Sequence, residues 1–306
     1  MNKGRKRIKM ILIILLSIVV LLIMLSLWMA SFVMTGKRQT LEDALKWQSE
    51  RYDISFYDNL SKTDYTVMGF DGYILHVELL ENPKKTKKYI ILSHGYTDNR
   101  MGSLKYVSMY MELGYNCIIY DLRGHGENKK TFTTYGILEG RDLAYLVEDT
   151  KTRYTELTEL GLHGESLGAA TTIASLKYHQ DVDFVVADCG FSNIENVLKR
   201  GYKNAHVPVV LFDLADIGAR IQYHYSLKKM RPIDSLNDNK IPVLFIHGDK
   251  DDLIVPKNSR DMYERTRGKK KICIIQDAGH AYSVFTDPVS YKENVKLFID
   301  SLTVSN

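Results

Sequence analysis

From Asp64 onward the apolar residues of this chain fall into two alternating rhythms. Short runs rich in β-branched residues recur: YIILS (89–93), NCIIYD (116–121), LGLH (160–163), FVVADC (184–189), IPVLFIH (241–247) and KICIIQ (271–276). Such runs predict buried strands. Between them lie stretches with helical spacing at 103–113, 138–150, 167–178, 258–266 and 289–302. Strands that alternate with helices predict a mostly parallel sheet covered on both faces, an α/β architecture. Ahead of the first run, TVMGF and YILHVELL flank Asp71-Gly72, a hairpin signal. Residues 35–60 read as a connector, in which Thr40 and Asp43 resemble a capping box that opens a short helix.

One interval breaks the rhythm. About 50 residues, roughly 190–239, separate FVVADC from IPVLFIH, where a single crossover needs about a dozen. The segment contains Pro208–Phe212 and the run 217–225, and it reads as inserted helices that form a cap. The run 207–214 with Ile217, Ile221, Tyr223 and Tyr225 is expected to line an apolar pocket above the strand ends. A longer crossover is the alternative.

The N-terminus follows a different pattern. Met10–Met34 is 25 residues without a charge. At about 1.5 Å per residue such a helix covers the ~30 Å hydrocarbon core of a bilayer. A cleavable signal peptide has a shorter apolar region, about 7–15 residues, and Trp28-Met29-Ala30 is a poor cleavage site. The expectation is therefore one membrane anchor at 10–34, a basic tail at 1–9, and a single α/β body over 61–306. Five basic residues precede the apolar run, and Lys37 and Arg38 follow it. That asymmetry puts the N-terminus in the cytoplasm and the body outside it, on the cell membrane.

Composition removes several classes. The chain has 306 residues, 45% hydrophobic and 25% charged, which is globular rather than disordered. Its net charge of +4 comes from the tail; beyond residue 9 there are 36 basic and 37 acidic residues. No bulk attraction to nucleic acid is expected. Cys117, Cys189 and Cys273 each sit in an apolar run, without the spacing of a disulfide framework or a zinc site, and read as core residues.

The candidate chemistry lies where strands end. Gly164-Glu165-Ser166-Leu167-Gly168 is G-x-S-x-G between LGLH and a helical run. The glycines allow a sharp turn that lifts the serine Oγ above the sheet. A serine needs a base, and the base needs an orienting acid. Of nine histidines, His280 follows the last strand run and precedes the last helix. His76 is on the hairpin, His163 and His247 end strand runs, and His179, His206 and His224 lie in polar or cap segments. His94 is expected to make structural hydrogen bonds beside the oxyanion loop. The acid candidates are Asp249, Asp251 and Asp252, with Asp188 in reserve. Read as a calcium loop, D-K-D-D lacks the glycine and the distal glutamate. The oxyanion donors would be the backbone N–H of Leu167 and one from His94-Gly95-Tyr96, namely that of Tyr96.

Five motifs in order, SHGYTDN, DLRGHGEN (121–128), GESLGA, GDKDDLIVP and AGH, resemble the α/β-hydrolase superfamily. They are closest to its bacterial serine-aminopeptidase-like and carboxylesterase-like branch, over residues 64–302. The resemblance implies Ser166 as nucleophile, Asp251 as acid, His280 as base, and Tyr96 and Leu167 as oxyanion donors. It gives Asp121, Arg123 and His125 a mainly structural role. Two registers compete for the acid: G-x-x-D selects Asp251 and D-x-x-V-P selects Asp252. Reach from the strand end favours Asp251. The implied activity is hydrolysis of a small ester through an acyl-enzyme, without metal or organic cofactor. Amide hydrolysis of a short peptide, acyl transfer, thioester hydrolysis and a non-catalytic binding role are the alternatives. Oligomeric state has no signal in the chain.

Overall fold

The computed structural model describes residues 3–178 and 181–303; His179 lies outside them. Helix α1 (Lys3–Met34) is followed by α2 (Leu41–Ser49) and α3 (Ser55–Asn59). Thr40 Oγ1 accepts the Asp43 N–H at 3.1 Å and so caps α2 as its sequence predicts. Strands β1 (Lys62–Met68) and β2 (Ile74–Leu80) pair antiparallel around Asp71-Gly72. Both turn residues have positive φ (56° and 76°), the backbone that an Asp-Gly hairpin turn requires.

The rest alternates: β3 (Lys88–Ser93), α4 (Leu104–Glu112), β4 (Asn116–Tyr120), α5 (Ile137–Arg153), β5 (Glu159–Glu165), α6 (Leu167–Ser175) and β6 (Phe184–Asp188). Then come α7 (Ile194–Asn204), α8 (Leu211–Tyr223), β7 (Val243–Gly248), α9 (Lys257–Arg265), β8 (Lys270–Ile275), α10 (Ser283–Thr286) and α11 (Pro288–Thr303). The eight strands form one sheet in the order β1-β2-β4-β3-β5-β6-β7-β8. β2 pairs antiparallel with β4, and from β4 to β8 every pair is parallel.

Alternation along each central strand builds two cores. Ile91, Ile118, Val185 and Ala187 face one side, with α5, α6 and α8. Ile90, Leu92, Cys117, Ile119, Phe184 and Val186 face the other, with α4 and α11. Burial on both faces explains why these strands read as continuous apolar runs. The first core also takes in Met29, Ala30, Val33 and Met34, so the last turns of α1 are packed into the body.

Between β6 and β7 the chain forms α7, α8 and two short 3-10 turns rather than one crossover helix. α8 lies along α1. Ser26 Oγ donates to the Leu214 carbonyl at 2.6 Å, and Ser31 bonds Gln222 and Tyr223 one and a half turns further on. Gly218 makes this approach possible, because a Cβ there would sit 2.0 Å from the Ser26 carbonyl oxygen. One expectation fails here. Phe212 is buried, but Ile217 and Ile221 point away from the core and are exposed, so they do not line a pocket.

Candidate active site

The site assembles at the carboxyl ends of β3, β5, β7 and β8. Ser166 occupies the turn from β5 to α6 with φ 54° and ψ −111°, a backbone that few non-glycine residues adopt. Its glycine neighbours are required by close approach. A Cβ on Gly164 would meet the Gly168 carbonyl oxygen at 2.2 Å, and one on Gly168 would meet the Ser93 carbonyl oxygen at 2.0 Å. The turn can therefore close only with glycine on both sides. Leu167 is the first residue of α6, so its N–H has no intrahelical acceptor.

Ser166, His280 and Asp251 form one hydrogen-bonded chain. His280 Nε2 lies 2.9 Å from Ser166 Oγ, and His280 Nδ1 lies 2.7 Å from Asp251 Oδ2. A carboxylate only accepts, so Nδ1 carries the proton and Nε2 is left to accept from the serine hydroxyl. Burial alone would raise the Asp251 pKa. Hydrogen bonds from His247 and His280, the charge of His280 and the Ile254 N–H outweigh it and hold the carboxyl at about 2. Oδ1 accepts from the N–H groups of Leu253 and Ile254 at 3.1 and 2.8 Å, which fixes the carboxylate plane.

The competing acids stand elsewhere. The Asp252 side chain is exposed, and its carbonyl receives Arg200 Nε from α7 at 2.8 Å. Asp188 is buried and accepts from the Tyr291 hydroxyl at 2.9 Å, with the Tyr106 oxygen 3.1 Å away. Burial and the charge of Glu165 push Asp188 up to about 6.

Two residues escaped the sequence reading. His247, at the end of β7, turns Nε2 to both the Ile254 carbonyl (2.5 Å) and Asp251 Oδ2 (3.2 Å). Both are acceptors, so Nε2 is protonated, and Nδ1 accepts from Ser259 at 2.7 Å. The spacing of four between His247 and Asp251 was the available signal. The second is Lys105, buried and ion-paired with Glu165, the residue before the nucleophile. Tyr106 donates to the same carboxylate at 2.6 Å. Side-chain anchors thus hold the elbow from below.

The loop after β3 is braced on three sides. Gly95 lies against Ser166, since a Cβ there would be 3.9 Å from Ser166 Cβ. His94 Nδ1 lies 2.7 Å from the Gly95 carbonyl, and Nε2 accepts the Leu122 N–H at 2.9 Å. Burial drives its pKa down to about 3, so it is a neutral structural histidine as expected. His125 Nε2 lies 2.6 Å from the Tyr96 carbonyl. The third brace is α1: the Tyr96 hydroxyl donates to the Val33 carbonyl at 2.9 Å and accepts the Gly36 N–H at 3.0 Å. The DLRGHGEN motif is structural here, with Asp121 tied to Arg100 at 2.6 Å and Arg123 forked onto Asp142 at 2.7 Å.

Cys189 follows β6 in a left-handed conformation (φ 44°) rather than within the strand. Its sulfur, with Asp251 and His280, makes a set of donor atoms within 4.8 Å of one another. Burial keeps the thiol protonated, and the other two are bonded to each other, so the donor set fits acid–base chemistry better than a cation. Cys117 is fully buried and Cys273 half-buried.

Comparison with known proteins agrees with this geometry. An uncharacterized protein of Bacillus subtilis, YqkD, is 30% identical over 97% of this chain and 99% of its own length. Among solved structures, the Pyrococcus furiosus esterase Pf2001 superposes with a TM-score of 0.68 at 24% identity, covering 79% of this chain and 92% of that one. The Pyrococcus horikoshii acylaminoacyl peptidase gives 0.60 at 16% identity, over 82% of this chain and 43% of that one. Residues 102–302 match the prolyl oligopeptidase family. The chain belongs to that family, and it is a serine hydrolase of the α/β-hydrolase fold.

Proposed function

We propose that this protein is a membrane-anchored serine hydrolase that cleaves carboxylic esters, with Ser166 as nucleophile, His280 as general base and Asp251 as the orienting acid. The observation that carries the reading is the unbroken chain Ser166 Oγ–His280–Asp251, with the serine on a strained elbow. His280 Nε2 takes the hydroxyl proton as Ser166 Oγ attacks the carbonyl carbon. The Leu167 and Tyr96 N–H groups receive the developing oxyanion. His280 then returns the proton to the leaving alcohol, and water repeats the sequence to release the acid. Asp251, ionised to low pH, stabilises the imidazolium in both halves.

Helix α1 is long and apolar enough to cross a membrane. We infer that it stays attached and leaves residues 1–9 in the cytoplasm, because its last turns are packed into the core.

Amide hydrolysis is the second reading, favoured by the family and by the acylaminoacyl peptidase neighbour. An aminopeptidase needs an acid free to receive a substrate ammonium. Asp213 and Asp216, the candidates in the cap, are committed to Lys228 at 2.7 Å and Arg220 at 2.5 Å. That favours esters. The test is labelling by a fluorophosphonate probe, followed by turnover of p-nitrophenyl esters beside aminoacyl-anilides. Labelling lost in Ser166→Ala, and esters turned over at least tenfold faster than anilides, is the expected result. An unlabelled wild-type chain would mean a binding protein on a hydrolase scaffold, and the opposite preference would mean a peptidase.

A further inference from the structure

Helix α8 carries an apolar stripe on the wrong side for a protein surrounded by water. Its inward side is Phe212, Ala215 and Ala219, all fully buried. Gly218 faces α1. Val210, Ile217 and Ile221 follow at intervals of seven and four, which aligns them on a third side, roughly opposite the core, with half-buried Leu214 at its edge against α1. Val210 is 68% exposed, Ile217 46% and Ile221 51%. Polar residues belong on such a face unless something apolar covers it.

The length of α1 identifies the cover. Its uncharged run begins at Met10, but Ser26, Met29, Ala30, Val33 and Met34 are buried in the body. The freely exposed part, 10–25, measures about 24 Å, short of the ~30 Å hydrocarbon thickness. The missing ~6 Å is the next four residues, and there α8 lies alongside. Ser26 is level with Leu214 and Gly218, and Ser31 with Gln222 and Tyr223. The two helices run in the same direction, so Val210 lies about one further turn toward the bilayer centre. A span that fits the membrane must draw the stripe into the same leaflet.

We propose that the Val210–Ile217–Ile221 face of α8 is immersed in the bilayer that α1 crosses, and that the enzyme takes its acyl ester from that leaflet. The substrate class is a long-chain ester resident in the membrane, rather than a solute. The inference rests on the ester-hydrolase reading and on α1 spanning the membrane. It does not depend on which side the body faces. The packing of α1 onto the Tyr96 loop, whose Gly95 lies against Ser166, brings the bilayer surface close to the proposed nucleophile, a short path for an acyl chain.

The full chain in phosphatidylcholine vesicles tests this, with p-nitrophenyl butyrate in solution and p-nitrophenyl palmitate in the bilayer. Ile217→Lys/Ile221→Lys alters exposed residues that touch neither the triad nor the oxyanion loop. The palmitate rate is expected to fall at least tenfold while the butyrate rate stays within twofold. Rates that fall in parallel, or not at all, overturn the substrate assignment. Immersion is read independently by a bimane label on Ile217→Cys in a Cys273→Ala background. Quenching by brominated lipid is expected, and an unquenched label overturns the docking surface. Wild-type protein inert on butyrate would instead remove the ester-hydrolase reading, and the label would still report the docking surface.

Discussion

Asp251 and Asp252 differ by one position and by almost everything else. The first accepts from two histidines and two backbone N–H groups, whereas the second points into solvent. Loss of a triad acid costs up to about 10⁴ in turnover, through tautomer and charge. Asp251→Asn should lower kcat by roughly 10³ or more, and Asp252→Asn by less than about tenfold, with Tm unchanged in both. Ester turnover of the purified variants checks the ranking. The same carboxylate couples folding to pH. Its folded pKa, about 2, lies below the ordinary 3.8, so its contribution is present above pH ~4 and disappears as pH falls toward 2. Between pH 5 and 2, the wild type should lose about 2 kcal/mol more stability than Asp251→Asn, measured by denaturant titration at each pH.

At the scale of elements, the contact between α1 and α8 depends on one missing side chain. Gly218→Ala would drive a methyl group into the Ser26 backbone, and backbone cannot rotate away. Overpacking of this kind costs about 1–3 kcal/mol. A lower unfolding midpoint in detergent, with fluorophosphonate labelling of Ser166 retained, is the expected outcome. Strands and covering helices were legible because each central strand is buried on both faces and helices such as α4 and α5 on one. Ser166 and His280 were legible because the elbow and the last strand loop leave local marks. What was not legible depends on distant packing. The outward turn of Ile217 and Ile221 follows from where α1 lies, about 190 residues earlier in the chain. His247 and Lys105 look like ordinary strand and helix residues until the loop carrying Asp251 and the end of β5 carrying Glu165 are brought to them. Cys189 sits beyond its strand because the chain turns left-handed there, and no neighbour in sequence announces it.

For the whole molecule, orientation decides which compartment supplies substrate. Ser49, exposed at the end of α2, reports it. Ser49→Cys in intact cells should react with a membrane-impermeant maleimide, as the basic residues at the start of α1 predict. Protection in folded, membrane-inserted protein would place the body in the cytoplasm. The Val33 carbonyl has a consequence for handling the enzyme. It accepts from the Tyr96 hydroxyl and, at 2.5 Å, from that of Tyr135. A leader is expendable once it has delivered its cargo, but this one ends as a strut beneath the loop that carries the proposed oxyanion donor. A soluble fragment trimmed after residue 34 keeps every acid, base and nucleophile and loses that strut. Its ester turnover is expected to differ from that of the full chain, measured side by side on p-nitrophenyl butyrate.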